Sequence, residues 1–163
     1  MKSKSYQLAH PGVDIVFDNM VIVEEANSKL DKIEILTSDT FEDAKVLAKM
    51  ALDGMLYIQG WTLKFVYQQI LAGHEIYANG ISMVLKNDKP IAITIVNGNH
   101  VCQSYTVNNE RLRGYGSKTI AELKEKFPEL KGNYGGEYGT PNFFKKSGCV
   151  DVIEYSDPLG IWY

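Results

Sequence analysis

The sequence predicts a mixed α/β fold of the α+β kind, with a mostly antiparallel central sheet flanked by helices. Two stretches with apolar residues at helical spacing lie between residues 37 and 73. β-Branched segments separated by turn signals follow, and then come further helical patterns and a closing strand. We therefore expect the order strand, helix, helix, three-stranded meander, helix, helix, strand.

The N-terminal third predicts strands and then a helix. "VDIVF" and "MVIVEE" are typical of a short hairpin, and "KIEIL" at 32–36 is typical of a further strand. "TSDTFEDAKVLAKMALDG" has polar N-cap candidates, acids in its first turn and Gly54 as a stop. Its apolar stripe comprises Val46, Leu47, Met50 and Ala51.

The middle of the chain changes from helical to strand periodicity. "WTLKFVYQQILAG" predicts a second helix that ends at Gly73. Its apolar stripe comprises Leu63, Val66, Tyr67 and Ile70. The turn signals "NDKP" and "NGN" then divide a meander with strands at 81–86, 91–96 and 100–107.

The stretch "ERLRGYGSKTIAELKEKF" joins the third meander strand to a helix that Pro128 ends. The apolar stripe of this helix comprises Ile120, Ala121, Leu123 and Phe127. "TPNFFKKSG" predicts a short helix with Thr140 as N-cap, and "CVDVIEY" predicts the closing strand. The glycine-rich "GNYGGEYGTP" lies between the two helices.

Composition predicts one domain over residues 1–163, with 45% hydrophobic and 23% charged residues. A net charge of −3 gives no overall positive field that would attract nucleic acid. The chain lacks an apolar run of ~18 to 20 residues and a signal-peptide core, so we expect a cytoplasmic protein without membrane association. Cys102 and Cys149 lack metal-ligand spacing and predict buried thiols, so we expect no metal.

The glycine loop before the third helix is the strongest candidate binding site. A helix start exposes unpaired N–H groups and a positive dipole, which favour an anion such as pyrophosphate. Gly114 and Gly116 allow close approach, Arg111 and Arg113 add positive charge, and Ser117 adds a hydroxyl. The pattern is neither GxxxxGK[ST] nor GxGxxG. A strand-to-helix turn that needs glycine only for packing is the alternative.

Two segments resemble the GNAT N-acetyltransferase superfamily. "VNNERLRGYGSKTIAEL" is similar to its acyl-CoA signature [QR]xxGx[GA], with Arg111, Gly114 and Gly116 at the three positions. "NFFKKSGCV" is similar to the later FYEKxGF segment through Phe143, Lys146 and Gly148. The resemblance covers about residues 32 to 155. It implies a GNAT-like sheet that splays between its fourth and fifth core strands, and acetyl-CoA as co-substrate.

The resemblance also implies where acyl-CoA binds. The expected binding residues are Val107, Arg111, Leu112, Arg113, Gly114, Tyr115, Gly116 and Ser117. Amides of Arg111 to Ser117 would hold the pyrophosphate, and the pantetheine arm would run between the third meander strand and a strand near 131–134. The thioester would lie beside 104–107, with a backbone N–H near Val107 polarising its carbonyl.

The catalytic acid and base are the least defined parts of the predicted site. "HVCQSYTV" carries no acidic residue where many members of the superfamily place a glutamate base. His100, Glu137 and Tyr138 are the candidate catalytic residues, and a water chain is the alternative for deprotonation. Phe144 occupies the position of the usual tyrosine acid and has no proton to donate.

These observations predict an acetyltransferase that acts on a primary amine in a ternary complex. The acceptor would be a small molecule or a peptide. Modification of tRNA or DNA bases is an alternative, supported by lysines such as Lys118 and Lys124 but opposed by the interleaved Glu122 and Glu125. A non-catalytic acyl-CoA-binding or interaction module and an unrelated phosphate-binding domain are the others. A homodimer is also consistent with the resemblance.

Overall fold

The computed structural model describes residues 1–8, 30–58, 61–135, 141–149 and 151–155. The elements in chain order are β1 (Lys2–Leu8), β2 (Asp31–Thr37), α1 (Phe41–Asp53), α2 (Trp61–Leu71), β3 (Gly80–Lys86), β4 (Lys89–Asn97), β5 (His100–Thr106), α3 (Tyr115–Lys126), β6 (Lys131–Gly135), α4 (Pro141–Lys146) and β7 (Asp151–Tyr155). Short 3₁₀ turns lie at Glu75–Tyr77 and Asn108–Glu110. None of the described helices is both long enough and apolar enough to cross a membrane.

The described strands form one sheet in which spatial order follows chain order from β1 to β7. Neighbouring strands from β1 to β5 are antiparallel. The β5–β6 and β6–β7 pairs are parallel. The predicted GNAT-like fold class, a mixed and mostly antiparallel sheet flanked by helices, is therefore confirmed.

Helices cover both faces of this sheet. α1 starts with a capping box, because Thr40 Oγ1 accepts a hydrogen bond from the Asp43 amide at 3.1 Å and Asp43 Oδ2 accepts one from the Thr40 amide at 3.3 Å. α1 and α2 pack on one face, with Leu47 and Tyr67 in its core. α3 and α4 pack on the other face, where Phe144 joins the core. The sheet therefore lies between two helical layers.

Several sequence predictions differ from the structure or lie outside it. The hairpin predicted from "VDIVF" and "MVIVEE" and the Thr140 cap lie outside the described residues. The sequence reading missed β1, which is mostly exposed and lacks an apolar run. Residues predicted on apolar stripes, Val46 and Ala121, are exposed. Cys149 is buried but precedes β7, whereas Cys102 is half-buried within β5.

The charged residue Glu122 is buried on α3 instead of Ala121. Its carboxylate oxygens lie 2.6 Å from Lys4 Nζ and 3.2 Å from Lys2 Nζ, both on β1. β1 thus reaches the side of α3 and covers this position, which helical periodicity alone assigns to solvent. A buried carboxylate is tolerated there because two cations face it.

Candidate functional site: a cleft between two diverging strands

The parallel strands β5 and β6 separate soon after they meet. Within the described residues they pair at His100 and Lys131 alone, and the Lys131 amide donates to the Asn99 carbonyl at 2.7 Å. β6 keeps its other neighbour, since it pairs with β7 from Lys131 to Gly135. We call the space between β5 and β6 beyond the His100–Lys131 pair the β5–β6 cleft. The predicted splay between these strands is present.

A β-bulge in β5 lies where the strands separate. Gln103 pairs with Ile95, but Val101 pairs with Val96, so Cys102 is an extra residue opposite β4. A bulge bends its strand and increases the local twist. The bulge therefore gives a physical reason for β5 to leave β6 at this point.

The pairing of β5 with β4 decides which backbone groups face the cleft. The Val107 amide donates to the Ile91 carbonyl at 3.0 Å, toward β4. Because successive amides in a strand point to opposite sides, the amides of Ser104 and Thr106 point away from β4 and toward the β5–β6 cleft. The N–H expected near Val107 is therefore that of Ser104 or Thr106, because the Val107 amide is bonded within the sheet. The strand register that decides between these amides is not visible in the sequence.

The start of α3 lies at the far end of the β5–β6 cleft, after β5. Its N-cap is Gly114, with φ +82°, no side chain caps the helix, and the first turn carries no acidic residue. A Cβ at Gly114 would have no atom within 4 Å, so glycine is required here by the backbone angle and leaves open space. The first-turn amides and the helix dipole thus favour an anion at this point.

The two arginines before α3 are held by different partners. Arg111 Nε donates to the cleft-facing Thr106 carbonyl at 2.9 Å, and its guanidinium lies 5.9 Å from the Tyr105 ring. Arg113 lies 3.3 Å from Glu110 Oε2. Leu112 between them has φ +65° and is fully exposed. The loop therefore holds Arg111 at the cleft edge.

An ion cluster of Lys86, Glu110 and Asp31 anchors this loop to the sheet, and the sequence did not predict it. Glu110 is 8% exposed, and its Oε1 accepts from Lys86 Nζ at 2.8 Å. Lys86 also lies 3.6 Å from Asp31 Oδ2. The hydrogen bond from Lys86 to Glu110 raises the pKa of Lys86, so the ammonium stays charged. A cavity of about 340 Å³ next to the cluster is lined by Lys86, Glu110 and Val107 among others.

The remaining residues of the glycine loop contact protein groups. Tyr115 is buried, and burial raises its pKa. A Cβ at Gly116 would lie 3.0 Å from the Phe143 ring, so Gly116 allows α3 to approach α4, whereas the 3.9 Å to Thr106 Oγ1 would be an ordinary contact. Ser117 Oγ lies 3.1 Å from Ser147 Oγ instead of capping the helix. The alternative that a glycine of this loop is needed for packing is therefore supported at Gly116.

Of the three predicted catalytic residues, His100 alone lies within the described part of the chain. His100 starts β5 at the point where the strands meet, and it is half-buried. Thr106 lies six positions further along β5, or about 20 Å of extended strand away. Glu137 and Tyr138 lie outside the described residues. Phe144 is buried, and it packs so closely on Gly132 that a Cβ at Gly132 would lie 2.5 Å from the Phe144 Cβ.

A chain of three hydroxyl groups lies beside the β5–β6 cleft, and the sequence reading missed this too. Thr94 Oγ1 lies 3.0 Å from Ser104 Oγ and 2.8 Å from Thr119 Oγ1. Thr119 Oγ1 donates to the Gly116 carbonyl at 2.6 Å. The chain connects the middle of β5 with the first turn of α3. Periodicity indicates only which face of its own strand or helix a residue occupies, not which residues of other elements it contacts.

Comparison with known proteins gives a structural likeness but no match in sequence. No family model matches the chain, and no curated protein matches it. A solved aminoglycoside acetyltransferase from an uncultured soil metagenomic sample matches with a TM-score of 0.44 and 8% sequence identity. The match covers 77% of this chain and 80% of that chain. The fold assignment here depends on the strand order and on the divergence of β5 from β6.

Proposed function

We propose that this protein is an acyltransferase that moves an acetyl group from acetyl-CoA to a primary amine in a ternary complex. The observation that carries the proposal is the parallel β5–β6 pair, joined at His100 and Lys131 and open toward the uncapped start of α3. A long ligand with an anionic group suits this arrangement, because the helix start favours the anion and the open strand edge offers amides to an extended arm.

The donor groups around the cleft fit acyl-CoA. The amides of residues 115–117 and the exposed Arg111 and Arg113 would hold the pyrophosphate. The bound acyl-CoA would supply a thioester carbon that an amine can attack. Of the cleft-facing amides near Val107, that of Ser104 would stabilise negative charge on the thioester oxygen, because Thr106 lies beside the helix start that holds the pyrophosphate.

In this proposal, the residues predicted from the sequence remove the proton from the amine and protonate the leaving thiolate. His100 is the candidate base, and because it lies at the meeting point of β5 and β6, a chain of water molecules would carry the proton to it from the amine. Glu137 and Tyr138 remain the alternative base and acid. The proposed acceptor is a small-molecule or peptide amine. A nucleic-acid base is the alternative acceptor.

A non-catalytic acyl-CoA-binding module is the second candidate. The buried Phe144 favours it, because a phenylalanine at the position of the usual tyrosine acid cannot protonate a leaving thiolate. The two candidates share the binding site and differ in turnover. Binding and thiol release therefore have to be measured on the same sample.

The experiment is calorimetric titration with acetyl-CoA, CoA and ATP, followed by thiol release with amine and nucleic-acid acceptors. Gly114→Ala adds a Cβ at the open helix start and should weaken CoA binding at least about tenfold by displacing a charged hydrogen bond. Gly73→Ala is the matched control, because Gly73 also has positive φ and no atom within 4 Å of a Cβ. Absence of CoA binding by the wild type, or equal affinity of both variants, would refute this site.

A further inference from the structure

The hydroxyl chain beside the β5–β6 cleft has only one possible direction. Thr119 uses its single hydrogen on the Gly116 carbonyl, so Thr119 Oγ1 accepts from Thr94. Thr94 has then used its hydrogen and accepts from Ser104. Ser104 therefore donates to Thr94, and its own oxygen retains only lone pairs. Ser104 can act toward any further partner as an acceptor.

Ser104 also lies along the path from the helix start into the cleft. Thr106 Oγ1 is 3.9 Å from the position of a Cβ at Gly116, at the first turn of α3. Ser104 follows on the same face of β5, about 6.6 Å further toward the meeting point of the strands. It is half-buried, whereas Thr94 and Thr119 are fully buried. The outer end of the hydroxyl chain is thus the member nearest to solvent.

We infer that the Ser104 hydroxyl oxygen accepts a hydrogen bond from an amide N–H of the pantetheine arm of acyl-CoA. This inference rests on the proposed function. Only a donor can form a further hydrogen bond to this oxygen, and the pyrophosphate and the thioester carry no N–H group, whereas the arm contains two secondary amides. Thr94 and Thr119 are positioning residues, because they hold the Ser104 hydrogen away from the ligand.

Two ligands separate the arm from the rest of acyl-CoA. CoA contains the arm, and adenosine 3′-phosphate 5′-diphosphate keeps the pyrophosphate without it. Ser104→Ala should weaken CoA binding about 3- to 10-fold, the effect of one hydrogen bond, and leave the nucleotide affinity unchanged. Ser82→Ala is the control, because Ser82 Oγ makes a buried hydroxyl pair with Thr37 at 3.0 Å but belongs to β3. It should change neither affinity.

The direction of the chain has its own test at a residue that lies behind Ser104. Thr119→Val removes the hydroxyl that receives the Thr94 hydrogen, which allows Thr94 to donate to Ser104 and Ser104 to turn its hydrogen outward. CoA binding should weaken without a change in nucleotide affinity, and Thr119→Ser should restore it. If Thr119→Val bound CoA as tightly as the wild type and Thr119→Ser bound it more weakly, Thr119 would have only a packing role.

The remaining outcomes are also decisive. Unchanged CoA affinity in Ser104→Ala overturns the inference, and so does equal weakening of CoA and nucleotide, because that result places the defect at the helix start. Circular dichroism checks that each variant is folded. A wild-type protein that binds neither ligand refutes the proposed function, whereas wild-type CoA binding that Ser104→Ala leaves intact refutes the inference alone.

Discussion

Lys86 is a half-buried cation that contacts the buried Glu110 in the loop before α3, and Lys86→Met tests how much stability it contributes. Its Nζ lies 2.8 Å from Glu110 Oε1 and 3.6 Å from Asp31 Oδ2. The side chains of Lys86, Glu110 and Asp31 are only 15%, 11% and 9% exposed. Methionine keeps most of the apolar stem and removes the charge, so the substitution isolates the ion pairs from the packing.

The structure gives the magnitude of the effect. With an effective dielectric constant of about 20, the two attractions are about 6 and about 5 kcal/mol, and desolvation of the three ions offsets most of this. Removal of one partner from a buried pair costs about 3 to 5 kcal/mol. Arg113 remains 3.3 Å from Glu110, and Asn87 donates to Asp31 at 3.0 Å. We therefore expect a loss of about 2 to 4 kcal/mol.

Urea unfolding of both lysine variants at pH 7 is the assay. Lys49→Met is the matched control, because Lys49 Nζ lies 2.6 Å from Asp53 Oδ1 but its side chain is 60% exposed. An exposed pair contributes less than about 1 kcal/mol. Equal shifts of the urea midpoint in the two variants would refute the reasoning. Glu110→Gln in the Lys86→Met background should recover part of the loss, since it removes the carboxylate that lost its partner.

The pH dependence of the Lys86 contribution follows from its raised pKa. Glu110 raises the folded-state pKa above the ordinary lysine value of 10.5, so the contribution is complete below that value. It disappears as the pH rises through the folded-state pKa. The stability difference between wild type and Lys86→Met should therefore be constant from neutral pH to about 10 and decrease above it.

Two further predictions concern the capping box and the cleft wall. The Asp39 amide, which donates to Asp43, is the largest cause of the lowered pKa of Asp43. The stability difference between wild type and Asp43→Asn should therefore be present above pH 3.8 and disappear as the pH falls through the lower folded-state pKa. A difference in acid unfolding that grew below pH 3.8 would contradict this. Gly132→Ala places a Cβ 2.5 Å from the Phe144 Cβ, which cannot swing aside as a side-chain end can, so it should cost about 1 to 3 kcal/mol in thermal unfolding. An unchanged Tm would show that α4 moves freely on β6.

Much of the fold could be predicted because local patterns decide it. The three meander strands and their turns are close to their predicted bounds, and the stop at Gly73 has φ +95°. β1 and β6 are exceptions, because β1 is mostly exposed and β6 has only five residues, within a glycine-rich stretch that has little apolar pattern. The resemblance, not the periodicity, indicates the strand at β6.

The candidate site could be predicted only in part, for a physical reason. The motif indicates the glycine loop, and the backbone angle at Gly114 explains one glycine of the motif. The Lys86–Glu110 pair and the Ser104–Thr94 contact join residues from different strands and loops. Such contacts depend on strand register and helix placement, and a single sequence does not specify them. The choice of the amide near Val107 that faces the cleft depends on the same strand register.

The extra residue at Cys102 makes β5 two half-strands in opposite phase. Before the bulge, Val101 points toward α3; after it, Ser104 and Thr106 do, although an uninterrupted strand would place Gln103 there. One inserted residue thereby shifts the phase of the strand and decides which alternate amides face the cleft. If the same sequence paired without the bulge, Gln103 would lie opposite Thr94, and the cleft would present the opposite set of backbone groups and side chains.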